Sequence, residues 1–245
     1  MPNIINYELT QLDYVIEEIS YANPLVKQRV ASEIRNAWNK GAYFDQMGRL
    51  WIHEYYLAQI LRTTRANVKY ELLGLDNEKK YRIENNEILV RGDAVHQMID
   101  YKLQNAGYIR REHYLRLSEM YYLAARDSDY IRNIRYEHYE NIRENRKNMK
   151  TSRLSYIDHN FDELTGQLLD RRSSEFSHIR SVSIYPELAL YLENGLLVNK
   201  DTHTIITNNS INDEDELYRL CVELNWSCDW YDPFIDFINL IYPPR

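Results

Sequence analysis

Apolar side chains recur every three or four residues through most of the first 150 positions, and this spacing restricts the chain to a largely helical fold. Residues 8–22, 24–41 and 44–64 are each predicted to form a helix. Pro24 suits the first turn of the second helix, and Gly41 suits its end. Each predicted helix has a single apolar face to bury, so we expect the three to pack against one another.

A stretch from 66 to 91 interrupts the helical pattern. Three short runs rich in β-branched, aromatic and other apolar side chains predict strands at 68–72, 81–83 and 88–90. Asn85-Asn86 is a suitable turn between the last two strands. We therefore expect one small β-hairpin within an N-terminal helical region.

Helical spacing returns after the hairpin. Asp93 is predicted to cap a helix that ends near residue 105, and two further helices are predicted over 109–126 and 128–150. The last of these is polar on nearly all sides, which is typical of a linker, a dimer arm or a nucleic-acid contact. Its end carries the strongest cluster of positive charge, namely Arg143, Arg146, Lys147 and Lys150. We place a domain boundary near residue 150: residues 1–150 would recognise DNA, dimerise or bind a partner, and residues 151–245 would form a second domain.

Composition narrows the class of protein without giving its activity. The formal net charge is −7, which argues against a protein that simply coats nucleic acid. Lys and Arg outnumber Asp and Glu between 107 and 153, so a nucleic-acid-binding surface is expected mainly there. There is no apolar run long enough to predict a membrane span, and two cysteines, Cys221 and Cys228, are too few for a disulfide framework. These features predict a cytoplasmic protein with no membrane partner.

A segment from 165 to 207 combines residue types suited to phosphate chemistry. Its first histidine, His178, ends a run that is predicted to be a strand, and Asn194-Gly195 opens a turn sixteen residues later. A second histidine, His203, stands at the start of a predicted helix. A neutral histidine is a suitable general base because its pKa lies near working pH, and a divalent cation can stabilise charge on a reacting phosphate. Helices near 212–224 and 234–241 are predicted to follow.

This order of residues resembles the HNH, or ββα-metal, endonuclease family. The resemblance is carried by Thr165-Gly166, Glu175-Phe176-Ser177-His178-Ile179, Asn194-Gly195-Leu196-Leu197 and Asp201-Thr202-His203. It implies a ββα-metal nuclease domain in the C-terminal region and an α+β, mainly helical fold for the whole chain. It also implies that His178 is the catalytic base, that Asn194 ties the loop together and orients the base, and that His203 binds the metal.

The metal ligands implied by the resemblance are incomplete. Family members commonly carry Asp or His at the position of Ser177, and a hydroxyl is a poorer ligand. The candidate ligands for Mg²⁺ or Mn²⁺ are therefore His203, Ser177, Glu175 and Asp201, and no structural zinc is expected. On a regular strand Glu175 and His178 point to opposite faces. We expect either a weak, water-rich cation site or a domain that has lost catalysis.

The resemblance predicts metal-dependent hydrolysis of DNA, as in a restriction, phage or defence nuclease. Arg171 and Arg172 flank the predicted strands and are candidate phosphate contacts, with Arg180 a weaker candidate. Two other classes stay open: a catalytically inactive HNH-fold binding or regulatory protein, and an RNase or nuclease subunit of a multi-protein complex. A homodimer and a further protein partner also stay open.

Overall fold

The computed structural model describes residues 8–12, 19, 21, 23–83, 87–157 and 160–242. Over these residues the protein is α+β and mainly helical, as the sequence predicts. Its contacts separate an N-terminal unit, Ile5–His138, from a C-terminal unit that contains Tyr139–Arg245. None of the helices in the described ranges is long and apolar enough to cross a membrane.

The N-terminal unit is built on a five-stranded antiparallel sheet with the order β1-β2-β3-β5-β4. The strands are β1 (Thr10–Gln11), β2 (Ala42–Phe44), β3 (Leu50–His53), β4 (Lys80–Arg82) and β5 (Ile88–Arg91). The helices are α1 (Gln28–Gly41), α2 (Glu54–Ile60), α3 (Arg65–Leu73), α4 (Gly92–Gln104), α5 (Ile109–Arg126) and α6 (Asp129–Asn145), the last of which crosses the division between the units.

Sheet and helices of the N-terminal unit share one apolar core. Its fully buried members include Ile34 and Trp38 of α1, in the stripe that the sequence predicts. Ile52 of β3 and Val90 of β5 are paired across the sheet and are also fully buried. Burial of each such side chain contributes about 1.5–3 kcal/mol to folding.

The prediction of a single helix over residues 44–64 is wrong. A β-turn separates β2 from β3, and the helix α2 begins only at Glu54. The turn is held by Asp45, a fully buried carboxylate that accepts hydrogen bonds from the backbone amides of Met47 and Arg49 and from the indole of Trp51. Side-chain bonds of this kind favour turns over helix, which explains why apolar spacing misled here.

The predicted strand at 68–72 is also wrong, since these residues lie in α3. Thr64 caps this helix, because its side chain accepts a hydrogen bond from the backbone amide of Asn67. Val68 and Leu72 are both buried, as one face of a helix requires. The alternation of apolar residues that suggests a strand is equally a spacing of four.

Other predictions for this region are confirmed or refined. Helix 109–126 has the predicted bounds, and the strands near 81–83 and 88–90 are β4 and β5. Asp93 lies in the first turn of α4 and not at its cap, with hydrogen bonds from Arg91 and Lys79. The predicted helix 8–22 includes β1 and otherwise lies mostly outside the described residues, as does the Asn85-Asn86 turn.

The C-terminal unit contains a two-stranded antiparallel hairpin with helices around it. Its elements are α7 (Met149–Tyr156), β6 (Glu175–His178), β7 (Gly195–Val198), α8 (Lys200–Asn208), α9 (Glu214–Glu223) and α10 (Tyr231–Ile241). The predicted helix 128–150 is therefore interrupted, because a 3₁₀ turn at Arg146–Asn148 separates α6 from α7. The strand at His178 and the helices near 212–224 and 234–241 are confirmed, and the order strand, strand, helix is observed from β6 to α8.

Candidate active site

The loop between β6 and β7, residues 179–194, is closed by one buried amide. Asn194 has no exposed surface. Its Nδ2 donates to the carbonyl oxygens of Arg180 and Leu188, each at 3.1 Å, and its Oδ1 accepts from the backbone amide of Arg180 at 2.9 Å. Two of these bonds hold Arg180, and the third holds Leu188, whose neighbour Ala189 is the residue that His178 contacts.

Gly195 is required by a close approach. The ring of Phe176 lies against its Cα, so a side chain at this position would collide with that ring. The backbone of Gly195 is extended, with φ −160°, so its conformation alone does not demand glycine. The ring of Phe176 also meets the ring of His178 edge-on, with centroids 5.0 Å apart. The Asn194-Gly195 step therefore holds both the loop and, through Phe176, the imidazole.

His178 is held as a neutral imidazole with a defined tautomer. Its Nε2 lies 3.0 Å from the carbonyl oxygen of Ala189. A carbonyl oxygen only accepts hydrogen bonds, so Nε2 carries the proton and Nδ1 keeps its lone pair. Burial lowers the pKa of His178, the bond to Ala189 opposes that effect, and electrostatic interactions with Arg146 and with the His203 ring lower the pKa further. At neutral pH the ring is available as a proton acceptor.

Helix α8 brings His203 onto the hairpin. Nδ1 of His203 contacts Oε2 of Glu175, and the two side chains are 34% and 40% exposed. The pair therefore faces solvent on one side. The fold thus brings together an imidazole nitrogen and a carboxylate oxygen from residues that are 28 positions apart in the sequence.

The other two candidate ligands lie in different surroundings. Ser177 is 4% exposed and Asp201 is exposed on α8. Across the ranges that the structure describes, there is no group of three or more His, Cys, Asp or Glu side chains that could hold a metal ion. The pair formed by Glu175 and His203 still fits a hydrated Mg²⁺ or Mn²⁺, because such ions keep several waters and need few protein donors.

Five of the six candidate phosphate contacts are exposed, and Lys150 is partly buried. Arg143 is paired with Glu140 at 3.2 Å, and Arg171 donates to the side chain of Asn160 at 2.8 Å. Arg146 and Lys147 are exposed in the 3₁₀ turn after α6.

The remaining two candidates, Lys150 and Arg172, lie side by side. Nζ of Lys150 donates to the carbonyl oxygen of Arg172 at 3.1 Å. Of all six, Arg146 is the one whose charge acts on His178.

Arg180 is a structural residue and not a phosphate contact. It is 6% exposed, and its guanidinium donates to both carboxylate oxygens of Glu214 at 2.6 and 2.5 Å. This bidentate pair joins the loop after β6 to the first turn of α9.

Asp162 escapes prediction from the sequence, and Arg146 is predicted as a candidate phosphate contact but not as a charge that acts on His178. Asp162 accepts hydrogen bonds at the start of α8, and Arg146 adds its charge to the surroundings of His178. One local feature could have indicated Asp162. Its side chain accepts hydrogen bonds from the backbone amides of Leu164 and Thr165, two and three residues later, as Asp side chains commonly do in turns. Arg146 is predicted only as one member of a basic cluster.

The chain matches no protein-family model, and no curated protein or solved structure is similar to it.

Proposed function

We propose that the C-terminal unit is a metal-dependent endonuclease that hydrolyses phosphodiester bonds of DNA, with a ββα-metal arrangement of β6, β7 and α8. The observation that carries this proposal is the contact between His203 of α8 and Glu175 of β6, the strand that ends at His178, whose pKa is lowered by burial. A phosphodiester needs an activated water and positive charge near the phosphate, and these three side chains provide for both.

His178 is the base in this proposal. Its Nδ1 takes a proton from a water molecule as the water oxygen attacks phosphorus, and the bond to the departing ester oxygen breaks. Ala189 and Phe176 keep the imidazole in one orientation during this transfer. Asn194 acts one step further away, because it holds the loop that carries Ala189.

Glu175 and His203 would hold the divalent cation, Mg²⁺ or Mn²⁺. When bound, that ion supplies positive charge to the phosphate and to the leaving oxygen. The pair is half-exposed, which leaves room for water and for a phosphate oxygen. Ser177 and Asp201 contribute no ligand in this proposal, because one is buried and the other is exposed two residues before His203 on α8.

Positively charged side chains of the C-terminal unit are the candidate contacts for the substrate's phosphates. The charge of Arg146 lowers the pKa of His178, and Lys150 follows Arg146 by four residues in the sequence. Lys150 in turn contacts Arg172. Arg146, Lys150 and Arg172 are the candidate phosphate contacts in this proposal, because proteins contact phosphates largely through Arg and Lys.

The test is cleavage of supercoiled plasmid with Mg²⁺ or Mn²⁺, stopped by chelator, with an RNA of matched length as the second substrate. We expect His178→Ala to reduce the rate about 10²- to 10⁴-fold, the usual contribution of a general base. His96→Ala is the control, since it removes a histidine of the N-terminal unit, whose Nε2 lies 3.5 Å from Oε1 of Glu119. A His178→Ala protein that cuts as fast as wild type would remove His178 as the base, and cleavage of RNA alone would change the substrate.

A binding protein built on the same hairpin and helix is the second candidate, favoured by a cation site with two protein donors in place of three. It predicts salt-dependent DNA binding through Arg146, Lys150 and Arg172 without cleavage by any divalent cation. A gel-shift assay beside the plasmid assay separates the two functions.

A further inference from the structure

We propose that Asp162 is the positioning residue that sets helix α8, and with it His203, against strand β6. Asp162 precedes the hairpin by thirteen positions and forms no hydrogen bond to His178 or Glu175 among the described residues. It is nevertheless 1% exposed, which is exceptional for a carboxylate that is not paired with a cation. Four hydrogen bonds compensate for its burial.

Each carboxylate oxygen of Asp162 serves a different part of the chain. Oδ1 accepts from the backbone amides of Leu164 and Thr165 at 3.0 and 2.9 Å, which closes the turn before β6. Oδ2 accepts from the backbone amide of Asn199 and from Oγ1 of Thr202, both at 2.7 Å, which holds the start of α8. One side chain thus joins the turn to the helix.

The turn that Asp162 closes is itself fixed to the hairpin. The neighbouring Glu163 donates its backbone amide to the carbonyl oxygen of Leu197 at 3.0 Å, and its Oε2 accepts from the Leu197 amide at 2.6 Å. Leu197 lies in β7, opposite Phe176. The line of contact therefore runs from β7 through residues 162 and 163 to the first turn of α8.

The last step of this line is short. Thr202, whose hydroxyl bonds to Asp162, directly precedes His203. The backbone amide of His203 also bonds to the carbonyl oxygen of Asn199, the other residue that Asp162 holds. A shift at the start of α8 would consequently move the imidazole away from Glu175.

The chemistry of this position requires a carboxylate. All four partners of Asp162 are donors, and an ionised carboxylate only accepts. Asparagine would turn an NH₂ group towards two of those donors. The same shape with the wrong hydrogen-bonding pattern is therefore expected to fail here.

The decisive variants change Thr202. Its side chain bonds to Asp162 and is neither a proposed cation ligand nor the proposed base. Thr202→Val removes one donor to Asp162, and Thr202→Ser keeps it. We expect Thr202→Val to raise the Mn²⁺ concentration for half-maximal cleavage about tenfold, as is usual for residues that orient metal ligands, with KM for DNA unchanged. Thr202→Ser should restore the wild-type value, and Asp162→Asn should exceed the effect of valine. A merely structural role would lower the amount of folded protein and leave the Mn²⁺ requirement unchanged.

The activity readout rests on the proposed function, so Mn²⁺ binding to the full chain is also measured by electron paramagnetic resonance. Wild type that binds Mn²⁺ without cutting overturns the nuclease and leaves the positioning role supported if Thr202→Val binds more weakly. If wild type binds no Mn²⁺, the positioning role is tested by NMR, through the nuclear Overhauser effect between the side chains of His203 and Glu175. Its loss in Thr202→Val and return in Thr202→Ser supports the proposal, and its persistence in Thr202→Val overturns it.

Discussion

The two units of this protein bury different kinds of side chain. In the described part of the N-terminal unit the buried polar residues are Asp45 and Ser118. In the described part of the C-terminal unit there are eight: Asp162, Ser174, Ser177, Arg180, Glu187, Asn194, Thr202 and Glu214. An apolar core gives stability through burial, whereas a satisfied polar network fixes particular atoms at particular distances.

This difference explains how a hairpin of two four-residue strands holds a site. Such a hairpin is marginal by itself, because two strands bury little surface. Asn194 closes its own loop, whereas Asp162 and the pair of Arg180 with Glu214 each tie a loop to a neighbouring helix by directed bonds. The result is a set of side chains whose positions are defined without a large sheet, which suits a site that needs preorganisation.

The largest loss of stability in the C-terminal unit is expected from breaking its buried ion pair. Glu214→Gln removes the negative charge that pairs with the buried guanidinium of Arg180, and we expect a loss of about 3–5 kcal/mol in the free energy of unfolding. Glu140→Gln, which removes the partner of Arg143 at an exposed pair, is the control and should change stability by less than about 1 kcal/mol. Chemical denaturation measures both. Equal effects for the two variants would mean that the polar network is not what stabilises the C-terminal unit.

A smaller effect is expected from the amide that closes the loop. Asn194→Leu has a similar shape but loses three hydrogen bonds and leaves buried backbone groups unsatisfied, so we expect a loss of about 3 kcal/mol at most. The comparison is Ser118→Ala in the N-terminal unit, where one bond to the carbonyl oxygen of Ile60 is lost and about 1 kcal/mol is expected. The free energy of unfolding of each variant is the measurement. A loop variant as stable as Ser118→Ala would show that water replaces the lost bonds.

The smallest effect is the pH dependence that His178 confers. Its pKa in the folded protein is lowered, chiefly by burial, relative to the ordinary value of about 6.5 in the unfolded chain. The unfolded chain therefore binds the proton first as pH falls, and the stability present above about pH 6.5 is lost between that value and the lowered folded pKa. The slope cannot exceed about 1.4 kcal/mol per pH unit for one proton.

His178→Gln should remove this dependence. The measurement is the free energy of unfolding of both proteins from pH 8 to pH 5. Wild type should lose stability relative to the variant as pH falls, and parallel curves would contradict a buried, neutral His178.

Local signals predict the strand and helix bounds of the C-terminal unit well. The run from Glu175 to His178 reads as a strand and is one, and Asp213 with the acidic residues after it correctly marks the start of α9. The contact between Glu175 and His203 depends on how α8 packs on the hairpin, which no local pattern contains. Asp162 was missed for the same reason, because two of its four partners lie nearly forty residues away.

In the N-terminal unit, by contrast, it is the local prediction of helices and strands that fails. Spacing of apolar residues is ambiguous there, because Val68 and Leu72 fit one face of a helix as well as one face of a strand. At residues 44–64 the deciding feature is Asp45, whose bonds to the backbone of Met47 and Arg49 form a turn where apolar spacing favours a helix. At residues 44–64 a polar residue therefore overrides the apolar pattern.

The most direct test of the central claim is a Mn²⁺ titration of the full-length protein followed through its histidine ring resonances by NMR. If Glu175 and His203 hold a cation beside His178, the ring signals of His203 and His178 broaden first, at Mn²⁺ concentrations that leave His96 and His113 of the N-terminal unit sharp. Glu175→Gln should shift this broadening to higher Mn²⁺. Uniform broadening of all four rings, or broadening of His96 before His203, would contradict a cation site formed by the hairpin and helix α8.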